Sequence, residues 1–535
     1  MLPKMQRMTQ CVISALMVLI CAGSLVGHNR GEWQSRHETS AWERASHPYE
    51  FAHRFATSVF HDLFIGPSFQ TTVKCNGADD SGVLAEAVKN ARGGFVVVST
   101  GETCAAGDIT IPNLRIENGG LLKPLTGHTV TLSVNFEAGI YQVFSNISPG
   151  QGSITFSGNA ALKEVYPEWW GGVPGTDPAR QMIAFQKAID TGARVRLSAT
   201  LLSKSGYMLD NSTSPLMFNK TVTNTGVLEG GGMDTTLVTC TNATKACIQI
   251  DFPAAGAPSA VIKNFHLRGP AGPNPQFNSG NYGIYVPGYH DNVAHKISNL
   301  VIESVQIDQF GDNGVRIQGP TGPVKLSNLV VNDVGNYGIE VSFDANPKPD
   351  QSQDITIDGG SLQGQAKGGI AVTGGAAAIL SLTIKDIDIE LREAQTKPTL
   401  YLEQVHGAYI AGVTLASIVG SLSIGDANIY LSNGVYGCSF VGILNAAYGG
   451  LHNIHSAGVA HHNTFIGGVY LNKATSSGYL YKYDSASVNN LFINPLISEG
   501  GFARGHDSIP EDSLFKGKLP NWVTLPPDTN TKRRP

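Results

Sequence analysis

The chain has 535 residues, long enough for two cores or one elongated repeat array, and only 15% of them are charged while 62 are Gly. Few charges with abundant Gly fit short strands and tight turns better than surface helices, so the bulk is expected to be all-β. A formal net charge of -5 without a clustered basic surface excludes a nucleic-acid partner.

Lys4 and Arg7 precede an apolar run from Cys11 to about Gly27. This reads as an export signal over residues 1–27, or as a membrane anchor if it stays uncleaved, and it implies a secreted, periplasmic or cell-surface protein. A membrane partner is expected only in the uncleaved case. Residues 28–70 lack strand alternation and read as a spacer. From 71 to 163, pieces such as Phe95–Val98 and Val130–Val134 predict a small β domain. The third region, 164–505, opens with V-Y-P-E-W-W-G-G and a helical stretch, Pro178 to Asp190, that places Ile183, Phe185, Ala188 and Ile189 on one face. A Pro-rich tail, 506–535, follows. Outside the export segment five Cys remain. They allow Cys75 with Cys104 and Cys240 with Cys247 as disulfides, or five buried thiols, and no spacing among them suggests a structural metal.

Within the third region the sequence repeats. Asn281-Tyr-Gly-Ile-Tyr-Val286, Asp312-Asn-Gly-Val-Arg-Ile317 and Asn336-Tyr-Gly-Ile-Glu-Val341 superpose without gaps, each a polar turn, a Gly and an in-out-in strand. Weaker copies at Gly369, Thr399, Asn428 and Gly468 put the first inward residue at 284, 315, 339, 370, 400, 429 and 469. Such irregular steps suit coils of three strands joined by turns of variable length. A second column, starting at Asn264, Asn299, Asn328 and Asp354, is expected to mark another strand start. Equivalent positions in stacked coils lie about 4.8 Å apart, so apolar side chains pile into one core and Asn side chains can bond along the stack.

Gly77-Ala-Asp-Asp-Ser-Gly82 followed by L-A-E-A-V resembles the start of pectin-lyase-fold proteins, and Trp169 to Gly192 resembles a second copy of that capping segment. With the repeats, the resemblance covers roughly residues 71–500. It implies a right-handed parallel β-helix of the pectin-lyase-like kind, with a helical cap and a small N-terminal β domain. That superfamily includes polysaccharide lyases, glycoside hydrolases, uronan epimerases, phage tailspikes and adhesins, so the implied partner is a polysaccharide and the reaction stays open.

One outward column should read Tyr285, Arg316, Glu340, Ala371, Tyr401, Tyr430 and Tyr470. Tyr faces can stack on sugars, Arg can hold a uronate carboxylate and Glu can act as acid or base. The candidate catalytic residues are therefore Arg316, Glu340, Asp312 and His290, the last in a cluster with Asp291 and His295. Tyr285, Tyr401, Tyr430 and Asp333 are candidate substrate contacts. Asn313–Gln318 resembles the R-I-K signature of polygalacturonase-like hydrolases with Gln for Lys, and their other signatures are absent. The expectation is an enzyme acting on an acidic glycan by lyase or hydrolase chemistry. The competing expectation is a non-catalytic glycan-binding or structural surface β-helix. No cofactor is required by the residues, and calcium is an expectation only for the lyase reading.

Overall fold

The repeats close into coils. The computed structural model describes residues 69–145, 151–158, 160, 164–200, 206–219, 226–251, 259–287, 299–318, 323–342, 354–364, 368–374, 378–391, 397–417, 427–448, 452–473, 481–483, 487, 489–493, 496–497 and 514–516. The export segment 1–27, the spacer up to residue 68 and nearly all of the tail lie outside the described residues.

The chain is a right-handed parallel β-helix of about 12 turns with two α-helices among the described residues. From Leu216 onward, short strands stack as a ten-stranded parallel sheet. Its inward positions Leu216, Ile248, Ile284, Val315, Ile339, Ile370, Leu400, Ile429, Ile454 and Tyr481 sit in register. All are almost fully buried, and each aliphatic member contributes about 1.5–3 kcal/mol. The intervening longer strands, such as Ser259–Arg268, Asn299–Phe310 and Val324–Val334, form a 20-stranded sheet. Each bends in its middle, at Asn264, Ser304 and Asn328, where φ is between 52° and 62°, and the last two strands bend again near their ends, at Gln309 and Asp333. Asn tolerates this left-handed conformation better than most residues.

That bend corrects the second column. Asn264 and Asn328 occupy it, whereas Asn299 pairs with Ser259 at a strand start, and Asp354 also begins a strand. The four residues therefore mark two columns: Asn is favoured both in left-handed corners and in turns that lead into strands, and sequence alone does not separate the two uses.

The Gly that opens each repeat has a packing reason. A Cβ at Gly314 would stand 2.5 Å from Val331 Cγ1, and one at Gly283 would stand 2.6 Å from Ile307 Cγ2. These glycines face the core, and the residue before each one, Tyr282, Asn313 or Tyr337, lies outside it, with Asn313 and Tyr337 still only 1% and 5% exposed beneath Glu340 and Lys397.

At the front, residues 70–156 supply a five-stranded parallel sheet and helix α1, Ser81–Asn90. Asp80 of the G-A-D-D motif is buried and accepts from the backbone N–H groups of Asn76, Gly77 and Ala105, which ties the turn to the sheet. Helix α2, Pro178–Asp190, is the expected cap. Its Gln181 accepts from Met208 N, while Gln186 accepts from Met217 N and donates to Met217 O. Two side chains thus satisfy backbone groups of the first coils that would otherwise invite edge pairing. Beneath the cap, Glu168 takes a hydrogen bond from Tyr207, and burial raises its carboxyl above the usual range. Cys75–Cys104 and Cys240–Cys247 are disulfides, and Cys438 is a buried free thiol.

Candidate active site on the outward face of the ten-stranded sheet

The register that stacks the interior also stacks the exterior. Tyr285, Arg316, Glu340, Ala371, Tyr401 and Tyr430 follow one another as aligned outward residues, one per coil. The column then continues to His455 and Lys482. Tyr470 does not belong to it: Val469 pairs with Leu444 and Leu496 in the other sheet, and Tyr470 is 1% exposed. The G-V-Y-L stretch fits the in-out-in template yet stands beyond a different corner, and the true coil, His452–Ser456, carries Asn453 instead of Gly immediately before its inward Ile454.

Arg316 and Glu340 form an ion pair across neighbouring coils, with side chains only 15% and 17% exposed. The second carboxylate oxygen of Glu340 accepts from Asn313 Nδ2 at 2.6 Å, and Asn313 Oδ1 accepts from Tyr337 N at 3.0 Å. Glu340 is thus held on both oxygens. Withdrawing such a pair from water costs free energy that the mutual attraction offsets only in part, so the pair is weak evidence for stability.

Asp312 lies in the turn below and is 3% exposed. Its Oδ2 accepts from Gly280 N at 3.0 Å and its Oδ1 from Asn336 Nδ2 at 2.9 Å, which makes it a rung of a turn ladder. It also faces Tyr282, whose phenol is pushed up to about 12 by burial and then by the Asp312 charge. Tyr282 and Tyr285 stack at 4.9 Å and 28°, and Tyr285 donates to Gln318 Oε1 at 2.6 Å. On the far side, Tyr401 and Tyr430 stack at 5.7 Å and 18°. Tyr401 donates to Glu403 Oε2 at 2.8 Å, and its phenol is pushed up to about 12, chiefly by burial. Ring faces therefore meet one another along the axis, which directs ring edges and hydroxyls outward.

Asp333 is half-buried at a left-handed corner, φ 48°, that aligns with Gln309 and Gly364. His290, with Asp291 and His295, lies outside the described residues. Among the described residues no group of three or more His, Cys, Asp or Glu is placed to hold a metal ion.

Besides Tyr282, three participants were not singled out from sequence. Asn313 and Tyr337 each stand one residue before the inward Gly and are only 1% and 5% exposed. Lys397 comes from the coil of Tyr401: its Nζ lies 3.3 Å from Asn336 Oδ1 and 4.7 Å from the centre of the Tyr337 ring. Burial lowers its ammonium below the usual range, with Asp312 and Arg316 as the charges acting on it.

No family model and no curated protein sequence matches the chain. Among solved structures, the chain is similar to the full-length tailspike protein 2 of Escherichia coli O157:H7 bacteriophage CAB120, with 15% identity and a TM-score of 0.41 over 62% of this chain and 42% of that one. It is also similar to the Azotobacter vinelandii mannuronan C-5 epimerase AlgE4 A-module, with 14% identity and a TM-score of 0.41 over 66% of this chain and 100% of that one. A third likeness, to Geobacillus virus E2 ORF18, has 13% identity and a TM-score of 0.38 over 61% and 62% of the two chains. The chain spans under half the length of the full-length tailspike. These likenesses concern the fold, and the functional argument rests on the side chains above.

Proposed function

We propose that the protein is an exported polysaccharide-active enzyme that cleaves an acidic glycan along the outward face of the ten-stranded sheet, by β-elimination. The observation that carries this reading is Glu340, an ion-paired carboxylate held on both oxygens within a column of tyrosines. Such a carboxylate is suited to accept a proton rather than to donate one. Tyr282, whose phenol is pushed up to about 12, stays neutral and keeps a proton to give.

In the proposed step a Glu340 oxygen removes the C5 proton of a uronate. The electron pair released from the C5–H bond forms the C4–C5 double bond, the C4–O bond breaks, and Tyr282 protonates the departing oxygen. Hydrolysis fits less well, because it needs a second carboxylate across the bond, and Asp312 is only 3% exposed within the turn ladder, against 17% for the Glu340 side chain. Two disulfides support the exported setting. Among the described residues, no helix is long and apolar enough to cross a membrane.

One observation favours a non-catalytic glycan-binding or structural β-helix: Tyr285 and Tyr401 give their hydroxyl protons to neighbours on the same face. Glu340→Gln separates the readings. With an oligouronate as probe, elimination predicts turnover reduced by roughly 10²–10⁴-fold and binding retained. A binding protein predicts no turnover in either form.

A further inference from the structure

Arg316 is the obvious cation for a uronate carboxylate, yet it is already committed to Glu340. Lys397 is not committed in this way. Its ammonium is half-buried, its contacts are one amide oxygen and one ring face, and no carboxylate lies within ion-pair distance of it among the described residues. A partly desolvated cation with Asp312 acting on it only from beyond ion-pair distance, and with Arg316 opposing it, is unfavourable in the empty protein and becomes favourable when an anion arrives.

The fold accounts for how Lys397 reaches this place. It belongs to the coil of Tyr401, two coils beyond Tyr337, and the coil between them carries Gly368 and Ala371 where long side chains would intervene. The Tyr337 ring lies across Gly368, in the space a Cβ there would take, and Lys397 rests on the face of that ring. Asn336 and Asn313, the amides on either side of Tyr337, connect it to Asp312 and Glu340 respectively.

We propose that Lys397, not Arg316, receives the carboxylate of the uronate residue, and that Arg316 acts as a positioning residue for Glu340. This rests on the reading of the face as an acidic-glycan site and assigns its charge recognition. Pairing of the carboxylate with Lys397 would draw off negative charge as the C5 proton leaves, while the Arg316 charge stays with the base.

The test measures equilibrium binding of oligogalacturonate, oligomannuronate and oligoguluronate, each beside its carboxyl-reduced counterpart, to wild type, Lys397→Met and Lys397→Arg. Wild type should prefer the uronate form of at least one glycan by roughly tenfold or more, the usual scale for a charge-assisted hydrogen bond. Lys397→Met should bind both forms alike, and Lys397→Arg should keep most of the preference. A Met variant that keeps the full preference overturns the role of Lys397 and leaves the acidic-glycan reading intact. A wild-type chain without any preference overturns both. Should Lys397→Met fail to fold, wild type with isotopically dimethylated lysines replaces it: bound oligouronate must raise the titration midpoint of Lys397, and an unmoved midpoint overturns the proposal.

Discussion

The coils that carry Tyr285, Arg316 and Glu340 differ in kind from those that follow Tyr401. In the later coils like stacks on like, inside as Phe440, Phe465 and Phe492, which lie 4.6 Å apart in turn with planes within 13°, and outside as Tyr401 on Tyr430, before the outward column passes to His455 and Lys482. In the earlier coils the outward residue changes at every rung, from phenol to guanidinium to carboxylate to methyl. A parallel register repeats each position about every 4.8 Å, so a column of identical residues solves every rung in the same way. A column of unlike residues needs a specific partner at each rung, as Arg316 finds in Glu340. The place where the repetition stops is where chemistry is to be sought.

Two substitutions sharpen the contrast. Phe465→Ala removes the middle ring of the later stack, and it should cost about 3–5 kcal/mol in urea unfolding followed by circular dichroism. In dilute buffer its affinity for oligouronate should match wild type, because the stack lies coils away from Glu340. Lost affinity in a folded Phe465→Ala chain would mean that the two regions are not separable. Gly314→Ala has a smaller expected effect, about 1–3 kcal/mol, as the added Cβ pushes against Val331 and the Gly338 carbonyl. Since Arg316 lies two residues on, this variant should also weaken turnover, and a Gly314→Ala chain with wild-type stability would remove the packing account of the repeated Gly.

The repeats made the interior legible because an inward residue followed by an outward one, after a fixed Gly, allows a single register. Hence Ile284, Val315 and Ile339 align as expected, and the same register brings Arg316 against Glu340. Legibility fails where one residue type serves two geometries. Asn264 and Asn299 look alike in sequence, but one is a bend and the other a strand start. Tyr470 fits the outward pattern and is buried in another sheet, while His455, preceded by no such signal, takes the outward position. Lys397 was hidden for a different reason: its contact with Tyr337 depends on the side chain that Gly368 lacks, which pairwise comparison of neighbouring repeats does not reveal. Asp312, a turn residue by its spacing, is a turn residue by its bonds, and Tyr282 became relevant only once its ring was seen to face it.

Cleavage of an acidic glycan on this face by elimination leaves two marks that can be counted. Its most direct measurement incubates purified protein with each of a panel of uronans and follows two signals separately, the ultraviolet absorbance of the unsaturated uronate product and the new reducing ends. For at least one uronan both signals should rise together in equal molar amounts. Reducing ends without absorbance would assign the cleavage to hydrolysis, and no rise in either signal on any uronan the protein binds would contradict the claim outright.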